Sequence, residues 1–224
     1  MKQTDNPRQL ALRSLMACEK DGKFSNLEVN AALASSGLTG ADGALYTRLV
    51  YGVLERRITL DYIIDGMSTR PSRKMDCDVL TALRIGLYQL IYMDRVPEFA
   101  AVSESVEMLP RSKRGFVNAI LRTFIRNGRQ VVYPTEGSAA YRMSVKYSFP
   151  EELCRLYADC YGEACAEGIL DSSNREPALS LRVNTLRLTA ADCAAELGGV
   201  LSSLAPDTVL LDGFSDREIG RAHV

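Results

Sequence analysis

Residues 79–93 carry apolar side chains on every side of a predicted helix, and this stretch constrains the fold more than any other part of the chain. At 100° per residue, Leu83 falls on one side of that helix, whereas Ile85 and Tyr88 fall on another. A helix that is apolar all round is buried at the centre of its domain. Pro97 predicts the start of a following helix, because a proline in the first turn gives up no helical hydrogen bond. The sequence therefore predicts a helical bundle around a central, buried helix.

A second helix, predicted at residues 112–126, separates into an apolar and a basic face. The expected apolar face consists of Phe116, Val117, Ile120 and Phe124. The opposite face gathers Arg111, Arg114, Arg122, Arg126 and Arg129, with Asn118 among them. Because the apolar face attaches the helix to the core, the basic face is held towards solvent. Dispersed cations of this kind suit the phosphates of RNA, although a basic stripe is also typical of an ordinary solvated helix face.

Seven residues form the predicted RNA-binding set. They are Arg111, Lys113, Arg114, Arg122 and Arg126 on this helix, and Arg8 and Arg13 near the N-terminus. Arg114, Arg122 and Arg126 are the first choice for phosphate contacts, and Arg8 and Arg13 are weaker candidates. The alternative for each is an ordinary surface charge, and Arg13 could equally pair with a nearby acidic side chain.

The charge of the chain is distributed unevenly. Residues 1–130 contain 19 Lys and Arg against 14 Asp and Glu, whereas residues 131–224 contain 8 against 14. The net charge of −1 hides this asymmetry. It suggests two units, of which the first is able to meet an acidic partner, although drift in surface charge explains it equally well.

The fold class predicted from these patterns is mainly α, a helical bundle followed by a small α+β segment. Residues 1–130 form the predicted all-helical domain, and residues 131–140 form the linker. In the predicted α+β segment, residues 141–224, alternating apolar and polar residues indicate a strand at 178–184 and another at 208–213. A short helix between these strands is expected to begin at a threonine cap.

Metal binding, membrane insertion and secretion have little support in the sequence. The six cysteines contain no CxxC pair and the single histidine is His223, so no zinc site is predicted. Cys154, Cys160 and Cys165 are predicted to be small buried hydrophobic residues. No window reaches the ~18 apolar residues of a membrane helix, and the N-terminus lacks a signal peptide pattern. We expect a cytoplasmic protein with reduced thiols.

The order and spacing of five segments resemble the NusB superfamily, whose members are RNA-binding helical domains. The segments are residues 8–15, 52–61, 83–97, 100–108 and 116–122. The resemblance implies that the first 130 residues adopt that helical fold and bind RNA.

Residues 147–189 resemble the pre-catalytic segment of the RsmB (Sun/Fmu) family. This is a bacterial family of S-adenosylmethionine-dependent methyltransferases that modify cytosine C5 in 16S rRNA. A NusB-like domain precedes this segment in the family, and a Rossmann-like catalytic domain follows it. The resemblance implies small-subunit rRNA as partner, S-adenosylmethionine as the cofactor of the parent enzyme, and a role in positioning the RNA for catalysis.

The sequence lacks the features that would make the chain an enzyme by itself. No Gly-rich cofactor loop follows a predicted strand, and no cysteine has a proline beside it. We therefore predict no catalytic, cofactor-binding or metal-binding residues here, and expect the catalytic domain to begin just beyond Val224. The 224-residue chain alone is predicted to be inactive. The alternatives are a stand-alone NusB-type transcription antitermination protein and a helical protein–protein adaptor.

Overall fold

The computed structural model describes residues 6–175 and 177–211, and within them eleven α-helices and three short strands. The helices of the first bundle are α1 (Pro7–Asp21), α2 (Ser25–Ser36), α3 (Gly40–Glu55), α4 (Arg57–Met67), α5 (Cys77–Tyr92), α6 (Glu98–Glu107) and α7 (Arg111–Arg126). A 3-10 turn at Ser72–Lys74 precedes α5. The remaining elements are α8 (Ala139–Tyr147), α9 (Glu151–Tyr161), α10 (Glu163–Ser173), β1 (Leu179–Arg182), α11 (Ala190–Leu197), β2 (Val200–Leu201) and β3 (Thr208–Leu211). The predicted mainly α class is confirmed.

Helix α5 is the centre of the bundle, as its all-round apolar pattern predicts. Every residue from Val79 to Leu90 is buried. Helices α1, α3, α4, α6 and α7 all pack against it. The next helix, α6, begins directly after Pro97, as expected. The hydrophobic core of the bundle therefore surrounds α5.

The apolar pattern of residues 41–64 predicts one long helix, and the structure divides this stretch into α3 and α4. Arg56 interrupts it, with φ −98° and ψ 11°, outside the helical region. The amide N–H of Arg56 still donates to the carbonyl oxygen of Gly52, at 3.0 Å. Because the chain turns at this residue, α3 and α4 present separate apolar faces to the same core, including Leu49 and Leu60.

Helices α8–α10 belong to the same compact unit as the bundle, which extends over Met1–Ser172. The hydroxyl of Thr59 on α4 donates to the carbonyl oxygen of Val145 on α8, at 2.6 Å. The amide of Ile58 donates to the Ser148 hydroxyl, at 3.1 Å. The compact unit thus continues past the proposed linker at residues 131–140, and the separate domains assigned to residues 1–130 and 141–224 stay a prediction.

The second unit, Ser173–Val224, contains a three-stranded antiparallel sheet in the order β1-β3-β2. Val209 and Leu211 of β3 are buried in one small cluster with Cys193 and Ala194 of α11. Thr189 caps α11, as expected, since its hydroxyl accepts from the amide of Asp192 at 3.2 Å. Strand β2 is too short to have a sequence signal, and residues 212–213 of the predicted last strand lie outside the described part.

Replacing Thr59 with valine is expected to weaken the attachment of α8 to α4. Valine matches the shape of threonine but leaves the buried carbonyl oxygen of Val145 without its donor. Leaving such a group unsatisfied costs about 1–3 kcal/mol. The substitution should therefore accelerate amide hydrogen exchange more in α8 than in α5. Equal acceleration in both helices would show that Thr59 supports the whole bundle and not this contact.

Candidate nucleic-acid interface

Helix α7 is attached to the bundle by four buried side chains, which are Val117, Ile120, Leu121 and Phe124. Three of these were expected from the helical period, and Leu121 completes the face. The placement of Phe116 in the core was wrong, because this ring is 41% exposed. Phe116 therefore lies on the solvent side of the helix, on the flank of its basic face.

Arg111, Arg122 and Arg126 are exposed on α7, as the sequence predicts. The Arg122 Nε donates to the side-chain oxygen of Asn118 at 3.0 Å, and an Arg126 nitrogen donates to the Thr123 hydroxyl at 2.9 Å. Both partners are neutral, and no carboxylate pairs with any of the three arginines within the described residues. Their positive charge is therefore available to an anionic ligand, and the helix itself positions two of the side chains.

A shallow hollow lies on the same face of α7. Its volume is about 310 Å³, and Ala119, Arg122, Ile125 and Arg126 line it. The exposed residue Phe116 precedes Ala119 by three positions in the helix. This surface, which we call the α7 surface, comprises Arg111, Phe116, Ala119, Arg122, Ile125 and Arg126.

Lys113 and Arg114 are bound within the protein, in contrast to the α7 surface. The Lys113 ammonium lies 2.8 Å from Asp78 and 2.9 Å from Asp76, and hydrogen bonds to both carboxylates raise the pKa of Lys113. The same ammonium lowers the pKa of Asp76. Arg114 donates to the carbonyl oxygens of Leu109, at 2.7 Å, and Glu107. These two side chains hold the first turn of α7 against neighbouring elements.

Arg129, which the helical period placed on the basic face, lies beyond the end of α7. Its φ of 58° is in the left-handed region, and its guanidinium pairs with Glu98 at 3.2 Å. It also donates to the carbonyl oxygen of Leu90. Arg129 therefore connects the end of α7 to α6 and α5, and its charge is balanced locally.

The N-terminal candidates Arg8 and Arg13 lie on α1, the first helix of the chain, and not on α7. Arg8 is half-buried, and its Nε donates to the side-chain oxygen of Gln89 at 2.7 Å. Gln89 is itself fully buried and donates to the carbonyl oxygen of Ile85. Arg13 is exposed. The structure therefore gives Arg8 a defined structural contact and leaves Arg13 on the surface.

A second basic region was missed by the sequence reasoning. It is a groove of about 450 Å³ between α1, α4, the 3-10 turn and α5, and its cationic members include Lys20, Arg57 and Arg73. These residues are far apart in the sequence and share no helical face.

The described residues contain no group of three or more His, Cys, Asp or Glu side chains placed to hold a metal ion. His223 lies outside the described part of the chain. Cys154 is buried, and burial raises the pKa of its thiol. Cys160 and Cys165 are exposed, which corrects their predicted burial. In the described ranges, no helix is both long and apolar enough to cross a membrane.

Comparison with known proteins finds a family profile that matches the helical bundle and relatives that match most of the chain. The NusB family profile matches residues 5–126. A Bacillus subtilis protein named "Probable ribosomal RNA small subunit methyltransferase B" is 34% identical over 196 residues, which cover 86% of this chain and 43% of that protein. A Synechocystis protein of the same name is 32% identical and covers 85% of this chain and 43% of its own length.

The "Ribosomal RNA small subunit methyltransferase B" of Escherichia coli O127:H6 is 30% identical over 189 residues, which cover 82% of this chain and 42% of that protein. The chain thus spans less than half of the length of each of these three relatives. A solved structure, that of PH0851, superposes with a TM-score of 0.56 at 16% identity and covers 98% of this chain and 51% of that one. At this identity the superposition shows a shared fold alone.

Proposed function

Because this chain belongs to the NusB family, we propose that its helical bundle binds small-subunit ribosomal RNA and that the α7 surface makes the principal contact. The observation that carries the proposal is the set of exposed arginines on α7 whose charge no carboxylate balances within the described residues. RNA phosphates are recognised by cations held in fixed positions along a surface. A buried apolar face gives α7 that fixed position.

We further propose that the chain is the RNA-binding region of an S-adenosylmethionine-dependent enzyme that methylates cytosine C5 of 16S rRNA in the bacterial cytoplasm. Three relatives bear the name of a ribosomal RNA small subunit methyltransferase, and they are more than twice as long as the matched segment. The reaction and its cofactor then belong to a catalytic domain outside this chain. The bundle supplies binding energy and orientation, so that the reacting base meets the catalytic groups in a productive geometry.

Each part of the α7 surface has a distinct role in this proposal. Arg122 and Arg126 contact successive phosphates, since they lie one turn apart and frame the same hollow. Arg111, in the first turn, extends the track by more than two further turns. Phe116 offers an exposed ring on which an unpaired base can stack, a contact worth about 1–3 kcal/mol in single-stranded RNA binding.

The other predicted RNA-binding residues have supporting roles in the proposal. Lys113 and Arg114 orient the first turn of α7, and they reach RNA only where their internal partners leave a donor free. Arg8 and Arg13 form a second, weaker contact on α1. We expect single neutral substitutions of these four residues to affect RNA affinity less than substitutions of Arg122 or Arg126.

Changing both Arg122 and Arg126 to glutamate is expected to weaken the binding of a small-subunit rRNA fragment by about tenfold or more. Each lost phosphate contact lowers the slope of log K against log salt by ~0.7 in single-stranded RNA, so the double variant should lose about 1.4. The matched control changes Arg142 and Arg155 to glutamate, because they lie on α8 and α9 and not on α7; Arg155 is exposed and Arg142 is half-buried. Fluorescence anisotropy across a salt series measures both variants.

Unchanged affinity and slope in the α7 double variant would overturn the α7 surface as the principal contact. If the unaltered chain does not bind the rRNA fragment at low salt, the RNA-binding function itself is refuted. A helical adaptor makes apolar contacts with a protein partner, and such contacts do not weaken steeply with salt.

A further inference from the structure

The groove between α1, α4 and α5 has a floor that is partly charged and partly apolar. Arg84 is 5% exposed, and its guanidinium binds Asp61 through two parallel hydrogen bonds, of 2.7 and 2.8 Å. It also donates to Glu19 at 2.6 Å. Both carboxylates that line the groove are therefore engaged by Arg84. Because Asp61 and Glu19 bind Arg84, they do not form ion pairs with the remaining cations of the groove among the described residues.

Three further cations line this groove. Lys20, Arg57 and Arg73 are all exposed, and in the described ranges no hydrogen bond or ion pair engages their side chains. Four cationic side chains thus line the groove against two carboxylates, which leaves an excess of positive charge. Desolvating these cations is unfavourable unless an anionic group takes the place of water.

Apolar side chains accompany the cations. Ile58, Met75 and Leu80 line the same groove. The volume of about 450 Å³ lies within the roughly 300–1,000 Å³ of ordinary small-ligand sites. An apolar floor beneath a cationic rim matches a nucleotide, which combines a flat, weakly polar base with a charged phosphate. A bare phosphate ion would leave the apolar floor uncovered.

The groove is connected to the first turn of α7 through the loop before α5. Asp76 lies between Met75 and Cys77, which both line the groove, and its carboxylate pairs with Lys113 of α7 at 2.9 Å. Lys113 and Arg111 share the first turn of α7. The first turn of α7 is therefore joined to the loop that borders the groove.

We propose that this groove binds one unpaired nucleotide of the RNA that occupies the α7 surface, with its phosphates on Lys20, Arg57 and Arg73 and its base against Ile58, Met75 and Leu80. The proposal rests on the RNA-binding function proposed above. Single-stranded RNA segments are commonly recognised in this way, because their bases are free to leave the stack. The groove then acts as a second point of attachment and fixes the direction of the strand along the bundle.

The first arm of the test changes Arg57 and Arg73 to glutamine and measures binding of the rRNA fragment across a salt series. At ~0.7 per phosphate contact, the slope of log K against log salt should fall by about 1.4, and the affinity should fall about tenfold at low salt. The matched control changes Arg142 and Arg155 to glutamine and removes the same charge. Circular dichroism establishes that each variant folds.

The second arm uses Cys77, a half-exposed thiol in the groove wall, in the unaltered chain. Alkylation by iodoacetamide is followed for each cysteine by mass spectrometry, with and without RNA. RNA should slow alkylation of Cys77 several-fold and leave Cys160, which is exposed on α9, unchanged. Inorganic phosphate at equal ionic strength should protect neither thiol.

The outcomes separate this proposal from the function on which it rests. If the α7 double variant weakens RNA binding but the groove variant and Cys77 alkylation do not respond, the groove proposal is overturned and the α7 surface stands. If phosphate ion protects Cys77 as well as RNA does, the nucleotide assignment is wrong. If the chain binds no RNA, both proposals fail together.

Discussion

Replacing Arg84 with methionine is expected to destabilise the bundle by about 3 kcal/mol. Arg84 is buried at the interface of α1, α4 and α5 and binds Asp61 and Glu19. Removing one partner from a buried ion pair costs ~3–5 kcal/mol, because the remaining charges lose their compensation. The lower end applies here, since the two carboxylates are 27% and 37% exposed and water can solvate them in part. Urea unfolding followed by circular dichroism measures the change.

The comparison variants for Arg84 separate charge from packing. Changing Arg84, Asp61 and Glu19 together to methionine, asparagine and glutamine removes the unpaired charges and should recover part of the lost stability. Arg155 pairs with Glu151 on the surface of α9, and its replacement by methionine should change the free energy of unfolding by about 0.5 kcal/mol or less. If the Arg84 and Arg155 variants are equally stable, the buried ion pair contributes nothing to the fold.

Replacing Gly52 with alanine is expected to destabilise the bundle by about 3 kcal/mol. Gly52 is buried on α3, and a Cβ atom there would overlap the ring of Tyr88 on α5. Tyr88 is 6% exposed, so its ring has little room to move away. Overpacking a core costs ~1–3 kcal/mol, and the upper end applies where a ring must be displaced from the central helix.

Gly66 offers a control for Gly52 in the same bundle. It lies within α4, and a Cβ atom there would meet no other atom within 4 Å. Alanine at Gly66 should stabilise the protein by about 0.5–1 kcal/mol, because alanine favours the helix over glycine. A combined change of Gly52 to alanine and Tyr88 to leucine should recover part of the loss. Equal stability of the two single alanine variants would contradict close packing of α3 on α5.

The central and terminal parts of helices were predicted well because their signals are local. Burial of α5 follows from apolar residues on all its sides, and Pro97 and Thr189 mark helix starts through their own backbone chemistry. The break at Arg56 has no such signal, since neither glycine nor proline stands there. The chain turns at Arg56 because α3 and α4 pack on the same hydrophobic core, and this packing belongs to the tertiary structure.

The candidate site was predicted only in part. The helical period was sufficient to place Arg122 and Arg126 on the outer face of α7. It could not show that Lys113 is paired with Asp76 and Asp78, because these partners are more than thirty residues away in the chain. The same period wrongly placed Phe116 in the core, since the edge of an apolar face lies inside or outside according to the neighbouring helix.

The sequence by itself determined the mainly helical class, the central helix and the face of α7 that meets solvent, because each follows from the spacing of side chains along one helix. The tertiary structure alone decided which cations are neutralised and which remain available. Charge pairing depends on distances of a few ångströms between side chains from different helices. Arg84 and the groove beside it show this most clearly, since their lining residues come from four separate segments of the chain.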